Sequence, residues 1–180
     1  MSPSKIDESI DFVPLGIAVL AVSDTRNLAD DKSGLTLAER LEGAGHILTH
    51  RQIVKDDAPT IRDRVLAFIA DEATDVVLTT GGTGFTGRDV TPEAVRPLFD
   101  KEIDGFSAIF HQISFQQIGT STLQSRACAG LSGRTLIFVL PGSSGACKDA
   151  WDGILRFQLD SRHRPCNFVE IRDRFLEGAG

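Results

Sequence analysis

Three stretches of the chain are apolar without alternation, and each stops abruptly in polar residues: Leu15 to Val22, Val76 to Leu78 and Leu136 to Leu140. Runs of this kind suit strands covered on both faces, as in a parallel sheet. A weaker strand is predicted near His46 to Val54. Between the strands the apolar spacing turns helical. Leu37 and Leu41, with Ala38 and Ala44, predict a helix from about Gly34 to Ala44, capped by Ser33 and stopped by Gly45. Ile61, Val65, Phe68 and Ile69 form a second stripe, behind Asp56 or Asp57 as cap and Pro59 in the first turn. Thr91-Pro92-Glu93-Ala94 reads as a Thr cap with Pro at the first helical position. Further helices are predicted from about Gly105 to Gln117 and from about Ala146 to Leu159.

Strand and helix in alternation predict an α/β three-layer sandwich, with a mainly parallel central sheet and helices on both faces. Residues 1–13 read as a flexible N-terminal arm, 14–170 as one domain and 171–180 as an arginine-bearing tail. In such a sheet the strand carboxyl ends share one edge, where ligands bind. Four loops should converge there: Ser23 to Asn27, Asp56-Asp57, Gly81 to Asp89, and Pro141 to Gly145.

The richest of these is Thr79-Thr80-Gly81-Gly82-Thr83-Gly84-Phe85-Thr86-Gly87-Arg88-Asp89. Its glycines let a ligand lie against main-chain N–H groups, its threonines add hydroxyl donors, and Arg88 adds a fixed positive charge. Asp89 is a carboxylate suited to a hard cation such as Mg²⁺, and Asp56 could share it, the metal bridging phosphate oxygens during nucleotidyl or phosphoryl transfer. A structural reading stands beside each assignment: helix capping for Asp56, a turn carboxylate for Asp89, and solvated surface charge for Arg126 and Lys148. Gly82 to Gly87 also spells the dinucleotide fingerprint G-x-G-x-x-G. A true case opens its helix inside the motif, whereas Pro92 sets the helix start after it. No Gly-Lys-Ser/Thr follows the glycines, and no Gly-x-Ser-x-Gly elbow is present.

Composition narrows the partners. The 180 residues carry a formal net charge of -6 and no Lys/Arg-rich block, which argues against non-specific nucleic-acid binding. No apolar run reaches the ~20 residues of a membrane span. Three scattered cysteines and no signal-peptide pattern fit a reduced cytoplasm. His46 and His50 lie close in sequence without an acidic neighbour, so a metal site there is not expected.

The run Thr79 to Gly84 continuing through Arg88-Asp89-Val90-Thr91-Pro92-Glu93-Ala94 resembles the signature of the molybdopterin-binding family that contains the MoaB and MogA proteins. Ser33-Gly34, Gly119 to Arg126, Leu140-Pro141-Gly142-Ser143 and Arg164-Pro165-Cys166-Asn167-Phe168 agree with it, the Ser121 to Arg126 run and the last of these being most like the MoaB branch. The resemblance spans roughly Leu15 to Phe168. It implies an assembly of trimers or hexamers, contacts with other proteins of the molybdenum cofactor pathway, and ATP- and Mg²⁺-dependent adenylation of molybdopterin in the catalytic members. It implies Asp56 (or Asp57, one residue on) and Asp89 as the catalytic and metal-binding carboxylates. It further implies Ser23, Thr25, Gly81, Gly82, Thr83, Gly84, Arg88, Ser114, Pro141, Gly142 and Ser143 as substrate contacts.

Overall fold

Residues 5–178 are described in a computed structural model of the chain. Strands β2 (Gly16–Val22), β3 (Ile47–Val54), β4 (Val76–Thr80) and β7 (Thr135–Leu140) form a parallel set, ordered β3-β2-β4-β7. β6 (Cys128–Ser132) joins β7 antiparallel, and the two-residue β5 (Lys101–Glu102) closes that edge. Helices α1 (Lys32–Gly43), α4 (Asp104–Ile118) and α5 (Ser144–Ala150) cover one face, and α2 (Ala58–Ala70) and α3 (Thr91–Val95) the other. This is the expected three-layer α/β sandwich.

The strand pleat divides the core. Ile17, Val19, Val76, Leu78, Phe138 and Leu140 pack under α1, α4 and α5. Ala18, Leu20, Val22, Val77, Ile137 and Val139 pack under α2 and α3. Leu20, Leu78 and Ile137 are fully buried, each contributing about 1.5–3 kcal/mol by leaving water. Burial on both faces is why these strands show no alternation. Register sets the functional edge: Ala21 pairs with Thr80, and Thr80 with Leu140. The loops after β2, β4 and β7 therefore leave the sheet side by side.

Several local expectations are corrected. Asp31, not Ser33, caps α1; its buried carboxylate accepts from the Gly34 N–H at 2.8 Å and from the Ser33 hydroxyl at 3.2 Å. Thr91 does not cap α3; Val90 occupies the cap position without a side-chain bond. Strand β6 has no counterpart among the predicted elements. Its Ala, Gly and Cys residues carry little strand propensity, and it forms because it folds back on β7 at Gly133, where φ is 56°. Gly130 is required in β6, since a Cβ there would lie 2.2 Å from Cγ of Phe99.

Residues from both ends make contacts with the domain. β1 (Lys5–Ile6) pairs antiparallel with β8 (His163–Arg164). The last helix of the sandwich runs from α5 through a π-helical turn, Trp151–Leu155, into α6 (Arg156–Gln158). Past α7 (Phe168–Ile171), Arg172 pairs with Asp75 at 3.1 Å and Phe175 packs against the core. Residues 1–4 and 179–180 of the arm and tail lie outside the described residues. Among the described residues no helix is long and apolar enough to cross a membrane.

Candidate functional site

The glycine loop begins where β4 leaves the sheet. Gly81 has a φ of 108°, and a Cβ on it would lie 2.2 Å from the carbonyl oxygen of Val22. Gly82 has a φ of 65°, and its Cβ would lie 2.3 Å from Thr91 Oγ1 and 2.8 Å from Asp56 Oδ1. Both positions exclude side chains by conformation and by space. The buried Thr91 fastens the loop: its hydroxyl donates to the Gly81 carbonyl at 2.8 Å, and its N–H donates to the Gly82 carbonyl at 3.0 Å. A Cβ on Gly142 would lie 3.0 Å from Cα of Gly81, so the β7 loop presses on the same turn. The Gly81 N–H donates to the Leu140 carbonyl and the Thr80 hydroxyl to the Pro141 carbonyl. Gly82, Asp56 and Gly142 thus meet at one edge.

The carboxylates divide the roles that spacing left open. Asp57 caps α2, accepting from the Thr60 N–H at 3.0 Å and from the Thr60 hydroxyl, and these bonds hold its carboxyl below the ordinary range. Asp56 is released from capping, and its carboxylate has no hydrogen-bond partner among the described residues. Partial burial, then the negative charges of Asp24 and Asp89, push the Asp56 carboxyl up. Asp89 takes the turn role as well: Oδ2 accepts from the Thr86 hydroxyl and from the Thr86 N–H at 2.9 Å, and these bonds hold Asp89 ionised.

Arg88 does not stand free for a ligand. Its Nε and Nη2 fork onto the two oxygens of Asp24, each at 2.9 Å. Asp24 also accepts from the Asp56 N–H at 3.2 Å, so one carboxylate ties together the β2, β3 and glycine loops. Asp24 is a site residue that the motif pattern does not single out, although it stands beside Ser23 and Thr25; only its position at the strand end marks it. Arg126 is the second omission. It is three-quarters buried, not a solvated charge: Nε donates to the Gly84 carbonyl at 2.8 Å, Nη2 to the Asp89 carbonyl at 2.7 Å, and Nη1 pairs with Glu93. It clamps the loop from behind. Lys148 is exposed, as the surface reading expected.

The other expected contacts serve the loops or stand apart from them. The Ser23 hydroxyl accepts from the N–H groups of Thr25 and Arg26, closing the β2 loop on itself. Thr83 is buried, and its carbonyl accepts from the Arg126 N–H at 3.1 Å. Ser143 caps α5, accepting from the Ala146 N–H at 3.1 Å. Arg26 donates to the Gly142 carbonyl at 3.3 Å, and Arg26, Lys32, Gly142, Ser143 and Ser144 line a cleft of ≈ 590 Å³ beside the turn. Ser114 lies buried one turn beyond Phe110 on α4, and no hydrogen bond joins it to the glycine loop. Among the described residues no three His, Cys, Asp or Glu side chains are grouped to hold a metal ion by themselves. Mg²⁺ commonly uses one or two carboxylates and completes its shell with water and substrate phosphate. The unpartnered Asp56, close enough to Asp24 and Asp89 to feel their charge, is where a cation would relieve repulsion.

Residues 18–161 match the sequence model of a family described as "Probable molybdopterin binding domain". The chain belongs to the molybdopterin-binding family. Within it the chain falls in the MoaB branch. It is 51% identical over 160 residues to molybdenum cofactor biosynthesis protein B of Escherichia coli K12, covering 89% of this chain and 94% of that protein. The protein of the same name from Bacillus cereus is 50% identical over 142 residues, 78% of this chain and 84% of its own. A crystal structure of a molybdenum cofactor biosynthesis protein B superposes with a TM-score of 0.82 at 43% identity, covering 91% of this chain and 96% of the other. The tungsten cofactor synthesizing MoaB of Pyrococcus furiosus superposes with a TM-score of 0.71 at 36% identity, over 79% and 91% of the two chains.

Proposed function

We propose that the chain acts in molybdenum cofactor biosynthesis by binding molybdopterin at the sheet edge and, with ATP and Mg²⁺, transferring AMP to its phosphate. The observation that carries this reading is Asp56: a half-buried carboxylate, spared from capping by Asp57 and without a hydrogen-bond partner, set against a glycine turn that only a side-chain-free backbone can form. Amide hydrogens of Gly82 to Gly84 suit a phosphate, and the ≈ 590 Å³ cleft beside them is large enough for a bicyclic or tricyclic ring system. Mg²⁺ would be held by Asp56 and Asp89 together with substrate phosphate, where it neutralises charge on the transferring group. A molybdopterin phosphate oxygen attacks the α-phosphorus of ATP, the bond from that phosphorus to the bridging oxygen breaks, and pyrophosphate departs with the electron pair. Asp24 keeps Arg88 beside the site, where a ligand phosphate would compete for the guanidinium.

A second reading, pterin binding without catalysis, has its own support. Asp89 is engaged by Thr86 and Asp24 by Arg88, which leaves Asp56 as the uncommitted member of the three carboxylates beside the glycine turn. Pyrophosphate release from ATP, measured with molybdopterin and Mg²⁺ present, separates the two. The adenylation reading expects release that is lost in Asp56→Asn; no release from wild-type protein that still binds molybdopterin leaves the binding reading standing. Assembly into a trimer or hexamer belongs to the same proposal. Phe115 and Ile118 in the last turn of α4 and Leu123 just after it, at 57%, 54% and 73% exposure, are apolar surface suited to a second copy.

A further inference from the structure

The ion pair between Arg88 and Asp24 contributes little to the fold. Its two side chains are 64% and 35% exposed, and an ion pair this open to water is a weak contact. Nor is Arg88 needed to shape the glycine loop. Thr91 ties the turn, Arg126 holds the Gly84 and Asp89 carbonyls, and Thr86 closes on Asp89. The guanidinium can therefore be given up without unmaking the loop. The Asp24 end is held separately. Its Oδ1 takes Arg88 Nη2 at 2.9 Å and also the Asp56 N–H at 3.2 Å, so the carboxylate stays in place when the guanidinium leaves. Asp56 Oδ1 in turn lies 2.8 Å from where a Cβ on Gly82 would stand. That chain of contacts sets the guanidinium beside the turn. A guanidinium fork grips phosphate in the same two-oxygen geometry as it grips a carboxylate. A phosphate at the turn and Asp24 are rivals for one cation.

We infer that Asp24 is a latch on Arg88: in the empty site it masks the guanidinium, and a ligand phosphate seats by drawing the guanidinium away from it. The inference rests on the reading of the glycine turn as a phosphate cradle, and adds a selectivity to it. A monatomic anion such as chloride offers no fork and does not displace the carboxylate. A phosphate gives two oxygens to Arg88 and another to the Gly82 to Gly84 amides, and does. Removing the charge of Asp24 should then tighten phosphate binding, the reverse of what losing a ligand contact does.

Pyrophosphate is the probe, with EDTA present to exclude metal and about 0.15 M salt, at which charges more than about 8 Å apart are largely screened. Isothermal titration gives its affinity for the wild-type chain, Asp24→Asn, Arg88→Gln, the double variant and Gly82→Ala. Asparagine keeps an oxygen for the Asp56 N–H, so the loops stay joined. The expected result is tightening by about fivefold in Asp24→Asn, the upper worth of an exposed ion pair, and by less than about twofold when the same change is made in Arg88→Gln. A misfolded variant cannot produce a gain. Unchanged or weaker affinity in Asp24→Asn overturns the latch. So does an equal gain in both backgrounds, which would make Asp24 a general negative charge rather than the partner of Arg88. In both of those cases, binding that Gly82→Ala weakens leaves the phosphate cradle standing. Pyrophosphate binding absent from every protein, or unchanged in Gly82→Ala, removes the cradle and the latch together.

Discussion

Replacing Arg126 by alanine tests how the glycine loop keeps its shape. The guanidinium donates to three main-chain carbonyls, at 2.8 Å to Gly84, 3.3 Å to Thr83 and 2.7 Å to Asp89, and pairs with Glu93. Hydrogen bonds to a charged partner are each worth about 1.5–3 kcal/mol when buried. Here the sum must be discounted: the side chain is 25% exposed, the 3.3 Å contact is shared with the 2.8 Å one, and the freed carbonyls at a loop regain water. A net loss of about 2–3 kcal/mol remains, which for a chain of this length lowers Tm by about 5–10 °C. Lysine should recover only part of it, because a point charge cannot fork across carbonyls several ångströms apart. Calorimetry gives the Tm, and amide hydrogen exchange over Phe85 to Val90 locates the effect. A Tm within about 1 °C of wild type, with unchanged exchange in that segment, would show that the glycines and Thr91 hold the loop unaided and that the clamp is misread.

Gly82→Ala should lose molybdopterin affinity by more than about tenfold and cost about 1–3 kcal/mol of stability, because the residue sits at a φ of 65° and the new methyl would meet Thr91 Oγ1 at 2.3 Å; denaturant titration and a binding assay read the two effects. Asp56→Asn should stabilise the ligand-free protein by roughly 0.5–1 kcal/mol near pH 7, a small figure because the carboxyl is only partly buried. The sign follows from its raised pKa: the acid form favours the fold, so the advantage is fully present below the ordinary carboxylate pKa and fades as pH rises through the elevated one. The mutant and wild-type Tm should accordingly converge below the ordinary carboxylate pKa, by about pH 3, and a gap that persists there contradicts the assignment. Asp31→Ala should cost about 2–4 kcal/mol by urea denaturation, since it removes the α1 cap and leaves Arg51, 3.4 Å away, without its carboxylate.

The layers of the fold were legible because the parallel strands are buried on both faces. An unbroken apolar run bounded by polar residues, such as Leu15 to Val22, is the mark that such burial leaves on a sequence. The edge hairpin was not legible, for β6 opens with Cys, Ala and Gly and depends on Phe99 covering Gly130, a contact made in three dimensions. The convergence of Asp56, Gly82 and Gly142 followed from strand order alone. What spacing could not resolve was which of two adjacent aspartates caps α2; the Thr60 N–H decides it for Asp57. Nor could it assign Asp24 and Arg126, since a charged residue in a polar stretch looks the same whether it is solvated or turned inward onto carbonyls. Nor could spacing show that Arg88 is already forked onto Asp24, a partner brought in from another loop.

Equilibrium binding of molybdopterin to the wild-type chain and to Gly82→Ala decides whether the pterin sits at the glycine turn, and it does so without requiring turnover. Micromolar or tighter binding to the wild type, abolished by a single methyl at Gly82 in a protein that remains folded by circular dichroism, is the predicted result. Equal binding to both would place the pterin elsewhere and refute the assignment of the sheet edge.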